Sequence, residues 1–170
     1  MSTFQELSVS RYSVRNFKSQ SVEPEKLSQI LEAGCVAPTA CNNRPQRIKV
    51  ITDEKGLAIA DECTPCRFGA PVVLLICYDK SLCWRRNFDG ALSGETDASI
   101  VTTHMMLSAH DLGLGSCWVM YFDPKKTSEL FSLPENIVPV AMLPIGYPAD
   151  DAAPNERHFD KLGAEEMLLK

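Results

Sequence analysis

A short segment near the N-terminus combines residues that could bind an anion. It spans residues 10–17 and reads SRYSVRNF. Side chains alternate along an extended segment, so Arg11, Ser13 and Arg15 would project from one side. Two guanidinium groups with a hydroxyl between them suit a phosphate or a carboxylate, because each can form charge-assisted hydrogen bonds. On spacing alone, a solvated charged edge is the alternative to a binding site.

The loop of residues 37–45, APTACNNRP, is a second candidate binding segment. It is short and rich in small and amide-bearing residues. Such residues bind through their backbone or side-chain amides and let a loop approach a ligand closely. The composition therefore suits a loop that lies against a flat ligand.

Cys63 and Cys66 stand at C-x-x-C spacing, which occurs in redox dithiols and in halves of metal sites. No second pair follows, and the histidines at 104, 110 and 158 lack zinc-finger spacing. The chain has seven cysteines and no recognisable secretion signal, which argues against a disulfide framework. We interpret most of them as reduced thiols that pack as small apolar groups, and we predict no metal site.

A central helix from Asp97 is predicted to organise the rest of the chain. Apolar residues at 98, 101, 105, 109 and 112 recur at helical spacing, with Asp97 as the N-cap and Gly113 and Gly115 as the stop. Further apolar residues at 100, 106 and 107 mean that the helix must be covered on more than one side. It could lie wholly in its own core, or it could also pack against a second copy.

The other predicted elements must position the two candidate binding segments. Most of them follow from hydrophobic periodicity and from capping or stop residues. They are a helix from Thr3 to about Val9, an amphipathic helix from Glu23 to Cys35, a strand at 47–52, a helix at 54–63, a buried strand at 71–77, a loop or lid at 81–96, an apolar strand at 116–122, a helix from Asp123 to about Phe131, a strand at 138–145 and an amphipathic piece at 164–169.

Composition bounds the class of protein. The 170 residues suffice for one domain with a sizeable core, and 45% hydrophobic and 23% charged residues are ordinary for a globular protein. The net charge of -5 argues against nucleic acid or an anionic membrane as a partner. No apolar run approaches the roughly 20 residues that span a bilayer. We expect one cytoplasmic domain over residues 1–170.

Common cofactor and nucleophile motifs are absent from the sequence. There is no Walker motif, and Gly113-Leu114-Gly115 lacks the third glycine of a dinucleotide fingerprint. That glycine pair also ends a helix where the fingerprint would begin one. The G-x-S-x-G elbow of a serine hydrolase does not occur. The order of elements predicts an α+β domain with four or more strands.

Five short motifs cover nearly the whole chain in a fixed order. They are RYSVR at 11–15, APTACN at 37–42 with Pro45, APVV at 70–73, LGLGSCW at 112–118 and PIGYP at 144–148. Together they resemble the FMN-dependent nitroreductase family, specifically its short members. The resemblance implies a nitroreductase-like α+β fold, with a mostly antiparallel central sheet flanked by helices. It also implies a homodimer through the long central helix, with two FMN sites at the interface.

The resemblance assigns the FMN phosphate to both ends of the chain. Arg11 and Ser13 match the N-terminal phosphate positions, and Arg15 matches the cation near N1 and the C2 carbonyl of the isoalloxazine. Tyr12, between the two phosphate positions, counts among the FMN-binding residues. At the C-terminus the family usually places basic residues on the phosphate. The candidates are Arg157, His158 and Lys161, and the alignment can rest on Arg157 or on Lys161.

Two further segments match positions around the isoalloxazine ring. The loop that the partner subunit lays against the ring corresponds to Pro38, Thr39, Ala40 and Asn42. The strand end whose backbone passes the N5 edge corresponds to Trp118, Val119, Met120 and Tyr121. The family commonly has glycine or a small residue where Met120 and Tyr121 stand, so we expect a bulkier ring environment here.

The implied activity is that of an NAD(P)H-dependent FMN oxidoreductase. A nicotinamide would reduce the flavin, leave, and be replaced by an electrophilic acceptor such as a nitroaromatic or a quinone, in a ping-pong hydride transfer. No side chain need act as acid or base, and Arg15 would tune the flavin. One alternative is a flavin-binding or storage protein with little turnover, in which Met120 and Tyr121 block the substrate face. Another is a thiol-redox protein that uses Cys63 and Cys66.

Overall fold

The computed structural model describes residues 3–169, in which four strands form one antiparallel sheet in the order β1-β2-β4-β3. Every residue of β2 is buried, because this strand lies between β1 and β4 and is covered on both faces. The continuous apolar run in the sequence reflects that position. The strands are β1 (Gln46–Ile51), β2 (Val72–Asp79), β3 (Gly115–Ser116) and β4 (Ile137–Gly146).

Five α-helices and three short 3-10 turns surround the sheet in the described part of the chain. The N-terminal caps follow local rules: Thr3 and Glu6 form a capping box, and Asp53 accepts a hydrogen bond from the Gly56 N–H. The helices are α1 (Phe4–Ser10), α2 (Pro24–Cys35), α3 (Glu54–Cys63), α4 (Gly94–Asp111) and α5 (Pro124–Leu130), and the 3-10 turns are Ala40–Asn42, Glu156–His158 and Ala164–Met167.

The two faces of the sheet bury two separate clusters of apolar side chains. Alternate residues of β2 divide between them: Leu74 packs towards α2 and α4, and Leu75 packs towards α3. Helix α2 packs mainly on α4. Gly34 permits this approach, because a Cβ there would lie 3.0 Å from Met105 Cγ. Part of the apolar surface of α4 is therefore covered by α2 of the same chain.

Most predicted elements lie where the sequence placed them, and the α+β class with an antiparallel sheet is confirmed. The predicted start of the central helix is wrong. Helix α4 begins at Gly94 with Ser93 at the N-cap position, so Asp97 lies inside the first turn. The observed loop is therefore shorter than the loop or lid predicted at 81–96, because residues 94–96 belong to α4.

The predicted strand at 116–122 is also wrong in most of its length. Strand β3 ends at Ser116, and beyond it Val119 makes an isolated bridge to Met142 of β4. The Cys117 N–H donates to the carbonyl of Pro144 at 3.3 Å. Proline has no N–H to return the ladder bond, so regular pairing stops there.

No helix among residues 3–169 is both long enough and apolar enough to cross a membrane.

Candidate functional site

One cavity of about 690 Å³ brings the two ends of the chain together. One side of it is the extended segment after α1, and the other is the 3-10 turn near the C-terminus. The lining contains three arginines and a histidine but no carboxylate, although the chain as a whole is acidic. Such a concentration of positive charge favours an anionic ligand. The lining residues are Arg11, Tyr12, Ser13, Arg15, Asn155, Arg157 and His158.

Pairing with β3 fixes the N-terminal side of the cavity. Ser13 forms a parallel bridge with Ser116, and the Val14 N–H donates to the Ser116 carbonyl at 3.0 Å. Val14 is buried, while Arg15 is exposed. Gly115 is needed for this contact, because a Cβ there would lie 2.5 Å from Val14 Cγ2. The backbone geometry thus presents Ser13 and Arg15 to the cavity while Val14 anchors the segment.

The C-terminal side is held by a local cap and by aromatic contacts. The Asn155 side chain accepts a hydrogen bond from the Arg157 N–H at 3.1 Å, which fixes the turn that carries Arg157 and His158. The Tyr12 ring meets the His158 ring edge-on, with 6.3 Å between centroids. Lys161 is exposed and does not line the cavity. The tail can be aligned on Arg157 or on Lys161, and of these two residues only Arg157 lines the cavity.

His110, near the end of α4, contacts the residue that precedes Arg11. Its Nε2 lies 2.9 Å from the Ser10 hydroxyl, directly before Arg11. Burial lowers the pKa of His110, the positive charge of Arg11 lowers it further, and Asp111 opposes both. No pattern in the sequence indicates a role for His110, and the only signal for Asn155 is its position ahead of a short polar turn.

Stability should decline as the pH falls below about 6.5, the ordinary pKa of histidine. Because the pKa of His110 is lowered in the folded state, the unfolded state takes up the proton first, and protonation favours unfolding. The stability that neutral His110 contributes is complete above that pH and is lost as the pH falls towards the folded-state pKa. We expect His110→Gln to flatten the dependence of unfolding free energy on pH in this window.

Urea denaturation at stepped pH values measures this slope. His104→Gln is the matched control, because it removes a histidine from the same helix without touching Ser10. An unchanged slope in His110→Gln would contradict the linkage.

The loop that contains Pro38, Thr39, Ala40 and Asn42 does not reach the arginine cavity within one chain. It lies beside the first turn of α4, where Ala40, Trp84 and Asp97 help to line a second cavity of about 370 Å³. The resemblance assigned this loop to the partner's flavin, and the separation within one chain is compatible with that assignment.

The segment from Trp118 to Tyr121 also contributes no side chain to the arginine cavity. Trp118 packs against the core beside α4, and Val119 is buried against Met142. Met120 and Tyr121 turn outward and are 69% and 76% exposed. Their side chains therefore do not obstruct the arginine cavity of their own chain.

The C-x-x-C pair forms part of a turn. The Thr64 hydroxyl donates to the Tyr121 carbonyl at 2.6 Å and accepts from the Cys66 N–H at 3.1 Å. Cys63 is buried and Cys66 half-buried, and both are free thiols. Within residues 3–169 no cluster of three potential metal ligands is present. The contacts of this pair support a structural role.

Comparisons with known proteins agree with the architecture. The sequence matches the model of the nitroreductase family over residues 9–147. A nitroreductase family protein from Clostridium difficile 630 is 40% identical, with a TM-score of 0.93 and coverage of 99% of this chain and 98% of that one. An FMN-dependent nitroreductase from Clostridium difficile R20291 is 30% identical, with a TM-score of 0.74 and coverage of 91% and 93%. An FMN reductase [NAD(P)H] from Bacillus subtilis is 28% identical over 163 residues, 85% of this chain and 66% of that protein.

Proposed function

Because the chain belongs to the nitroreductase family, we propose that it is an FMN oxidoreductase that uses NAD(P)H to reduce electrophilic acceptors such as nitroaromatics or quinones. The observation that carries the proposal is the cavity lined by three arginines and no carboxylate. Similar proteins include an FMN-dependent nitroreductase and an FMN reductase, which supports FMN as the cofactor and NAD(P)H as the donor.

The lining fits the phosphate end of FMN. Guanidinium groups and a hydroxyl donate hydrogen bonds to a phosphate, and no acidic side chain is present to repel it. Arg11 and Ser13 would hold the phosphate from one side, and Arg157 and His158 from the other. Arg15 stands two residues beyond Ser13, where it can face the next part of the ligand.

FMN would supply the hydride chemistry, and the protein residues would bind and orient it. The lining offers donors and positive charge, so its contribution is electrostatic. The Arg15 guanidinium donates to the Ser13 carbonyl at 3.3 Å, which holds its charge beside the cavity. No side chain of the lining need move a proton in this scheme.

The function is tested by the colour of the purified protein. We expect a yellow protein that releases FMN on denaturation, loses its colour with NADH or NADPH under anaerobic conditions, and regains it with a quinone. Colour that resists both nicotinamides would contradict the enzyme and favour a flavin-storage protein. Cys63→Ser should leave the cycle intact, because the contacts of Cys63 are structural.

We also propose a homodimer, formed from one continuous domain per chain. The chain exposes 10276 Å². A compact monomer of 18.8 kDa would expose only about 8,300 Å². The excess of roughly 2,000 Å² is the size of surface that extensive subunit interfaces cover. Five of the exposed large apolar side chains lie in the tail: Phe159, Leu162, Met167, Leu168 and Leu169.

Light scattering at micromolar concentration should give twice the 18.8 kDa chain mass. Because part of the apolar surface of α4 is already covered by α2, the dimer proposal rests on the total exposed area. A monomeric mass with flavin still bound would contradict it.

We further propose the cytoplasm as the compartment of this protein, since all seven cysteines are free thiols.

A further inference from the structure

Asp97 is a buried carboxylate with an unusual pair of partners. It lies in the first turn of α4 and is only 2% exposed. One oxygen, Oδ1, accepts a hydrogen bond from the Ala40 N–H at 2.9 Å, and Oδ2 accepts one from the Ser93 hydroxyl at 2.6 Å. A buried carboxylate needs such partners, and the first turn of a helix favours its negative charge. The Ala40 contact links α4 to a loop 57 residues away in sequence.

The loop that Asp97 holds has a strained backbone. Cys41, Asn42 and Arg44 all have positive φ, at 51°, 54° and 50°. This left-handed region is unfavourable for most residues with a side chain, although asparagine adopts it more readily. Three such residues in one short loop persist only where the surroundings fix them, and strain of this kind clusters at ligand-binding sites.

Internal hydrogen bonds use most of the amides of the loop. The N–H groups of Asn42 and Asn43 donate to the carbonyls of Thr39 and Ala40, and the Arg44 N–H donates to the Thr39 hydroxyl. The N–H of Cys41 and the side-chain amide of Asn42 have no hydrogen-bond partner among the described residues. Both residues are exposed. The Cys41 N–H and the Asn42 side-chain amide are therefore exposed and available as donors, while most other amides of the loop already have hydrogen-bond partners.

We propose that Asp97 is a positioning residue that fixes the Ala40–Asn42 turn so that the Cys41 N–H and the Asn42 amide meet the edge of a flat ligand. The ligand would be a ring system with carbonyl and ring-nitrogen acceptors. This rests on the proposed function, with FMN as the ligand, and on the proposed homodimer, in which the loop of one subunit would lie against the isoalloxazine of FMN bound with its partner. Among the described residues, the Asp97 carboxylate accepts hydrogen bonds only from the Ala40 N–H and the Ser93 hydroxyl.

Three variants separate this role from general stability. Asp97→Ala removes the acceptor for the Ala40 N–H and should weaken FMN binding to the apo-dimer by about tenfold, the worth of one buried hydrogen bond to a charged group. Asp97→Asn retains an Oδ1 acceptor and should restore binding to within about threefold of wild type. Ser93→Ala removes the other partner of the same carboxylate but leaves the Ala40 hydrogen bond, so it should weaken FMN binding less than Asp97→Ala does.

Two further measurements distinguish an effect on the loop from an effect at the phosphate end of the ligand. Asp97→Ala should weaken riboflavin and FMN binding by the same factor, because the loop would contact the ring that both share. Hydrogen exchange at the Ala40 amide should accelerate in Asp97→Ala and stay slow in Ser93→Ala. If Asp97→Ala does not fold, Ala40→Pro removes the same hydrogen bond from the loop, at a first-turn position that suits proline.

The outcomes separate the two proposals. A wild-type protein that binds neither FMN nor riboflavin overturns the proposed function, and this inference with it. Wild-type binding that is unchanged in Asp97→Ala, or in Ala40→Pro where that variant is used, overturns the role of Asp97 and leaves the proposed function standing. Failure of Asp97→Asn to restore binding also overturns it, because the acceptor would then not be the relevant feature.

Discussion

Arg11→Ala is expected to weaken FMN binding by about 1.5–3 kcal/mol, or roughly 10- to 150-fold, the usual worth of a hydrogen bond to a charged group. Arg11 lines a cavity without any carboxylate, so its charge is available to a bound anion. The other arginines and His158 would remain in the variant. The loss should therefore be partial, and the variant should still bind FMN at higher concentration.

Titration of the apo-protein with FMN, followed by flavin fluorescence, measures the change. Riboflavin lacks the phosphate and should bind wild type and Arg11→Ala almost equally. Arg85→Ala is the matched control, because it deletes an exposed arginine of the loop between β2 and α4, away from the cavity. Full FMN occupancy and unchanged affinity in Arg11→Ala would show that the phosphate binds elsewhere.

The sequence predicts those parts of the fold that depend on local pattern. The helix Glu54–Cys63 has the bounds that the sequence predicts, because its N-cap aspartate and its apolar spacing are both local signals. The prediction of a strand at 116–122 is wrong because the pairing of this segment depends on Pro144, nearly 30 residues later. No local pattern reveals which residue lies across a ladder.

The candidate site shows the same division between local and distant information. Alternation along residues 11–15 anticipates that Arg11, Ser13 and Arg15 share a side, and all three line one cavity. The choice between Arg157 and Lys161 could not be made from sequence, because both are basic residues in a polar tail. The cap from Asn155 and the contact with Tyr12 place Arg157 and His158 at the cavity.

Asp97 illustrates how a correct local signal can give an incomplete role. A carboxylate at the start of an apolar helix reads as an N-cap, and Asp97 does lie in the first turn. Its oxygens, however, are used by Ser93 and by the N–H of Ala40. The contact with Ala40 exists only because α2 and the following loop fold back onto α4. That contact cannot be inferred from either segment alone.

Arg15→Gln is expected to lower the two-electron midpoint potential of bound FMN by about 30 mV or more, with little loss of affinity for the oxidised cofactor. Arg15 stands beyond Ser13 on the same side of the extended segment, and it lines the cavity with its guanidinium beside the Ser13 carbonyl. A positive charge beside the ring stabilises the reduced state, which carries more negative charge, and affects the neutral oxidised ring weakly. Removing that charge should therefore make reduction less favourable.

Equilibration of the bound flavin with reference dyes measures the potential, and each shift of about 30 mV equals a tenfold change in the ratio of affinities for the reduced and oxidised cofactor. Arg15→Lys keeps the charge and should shift the potential less than Arg15→Gln. An unchanged potential in a flavin-replete Arg15→Gln dimer would leave Arg15 with a structural role only.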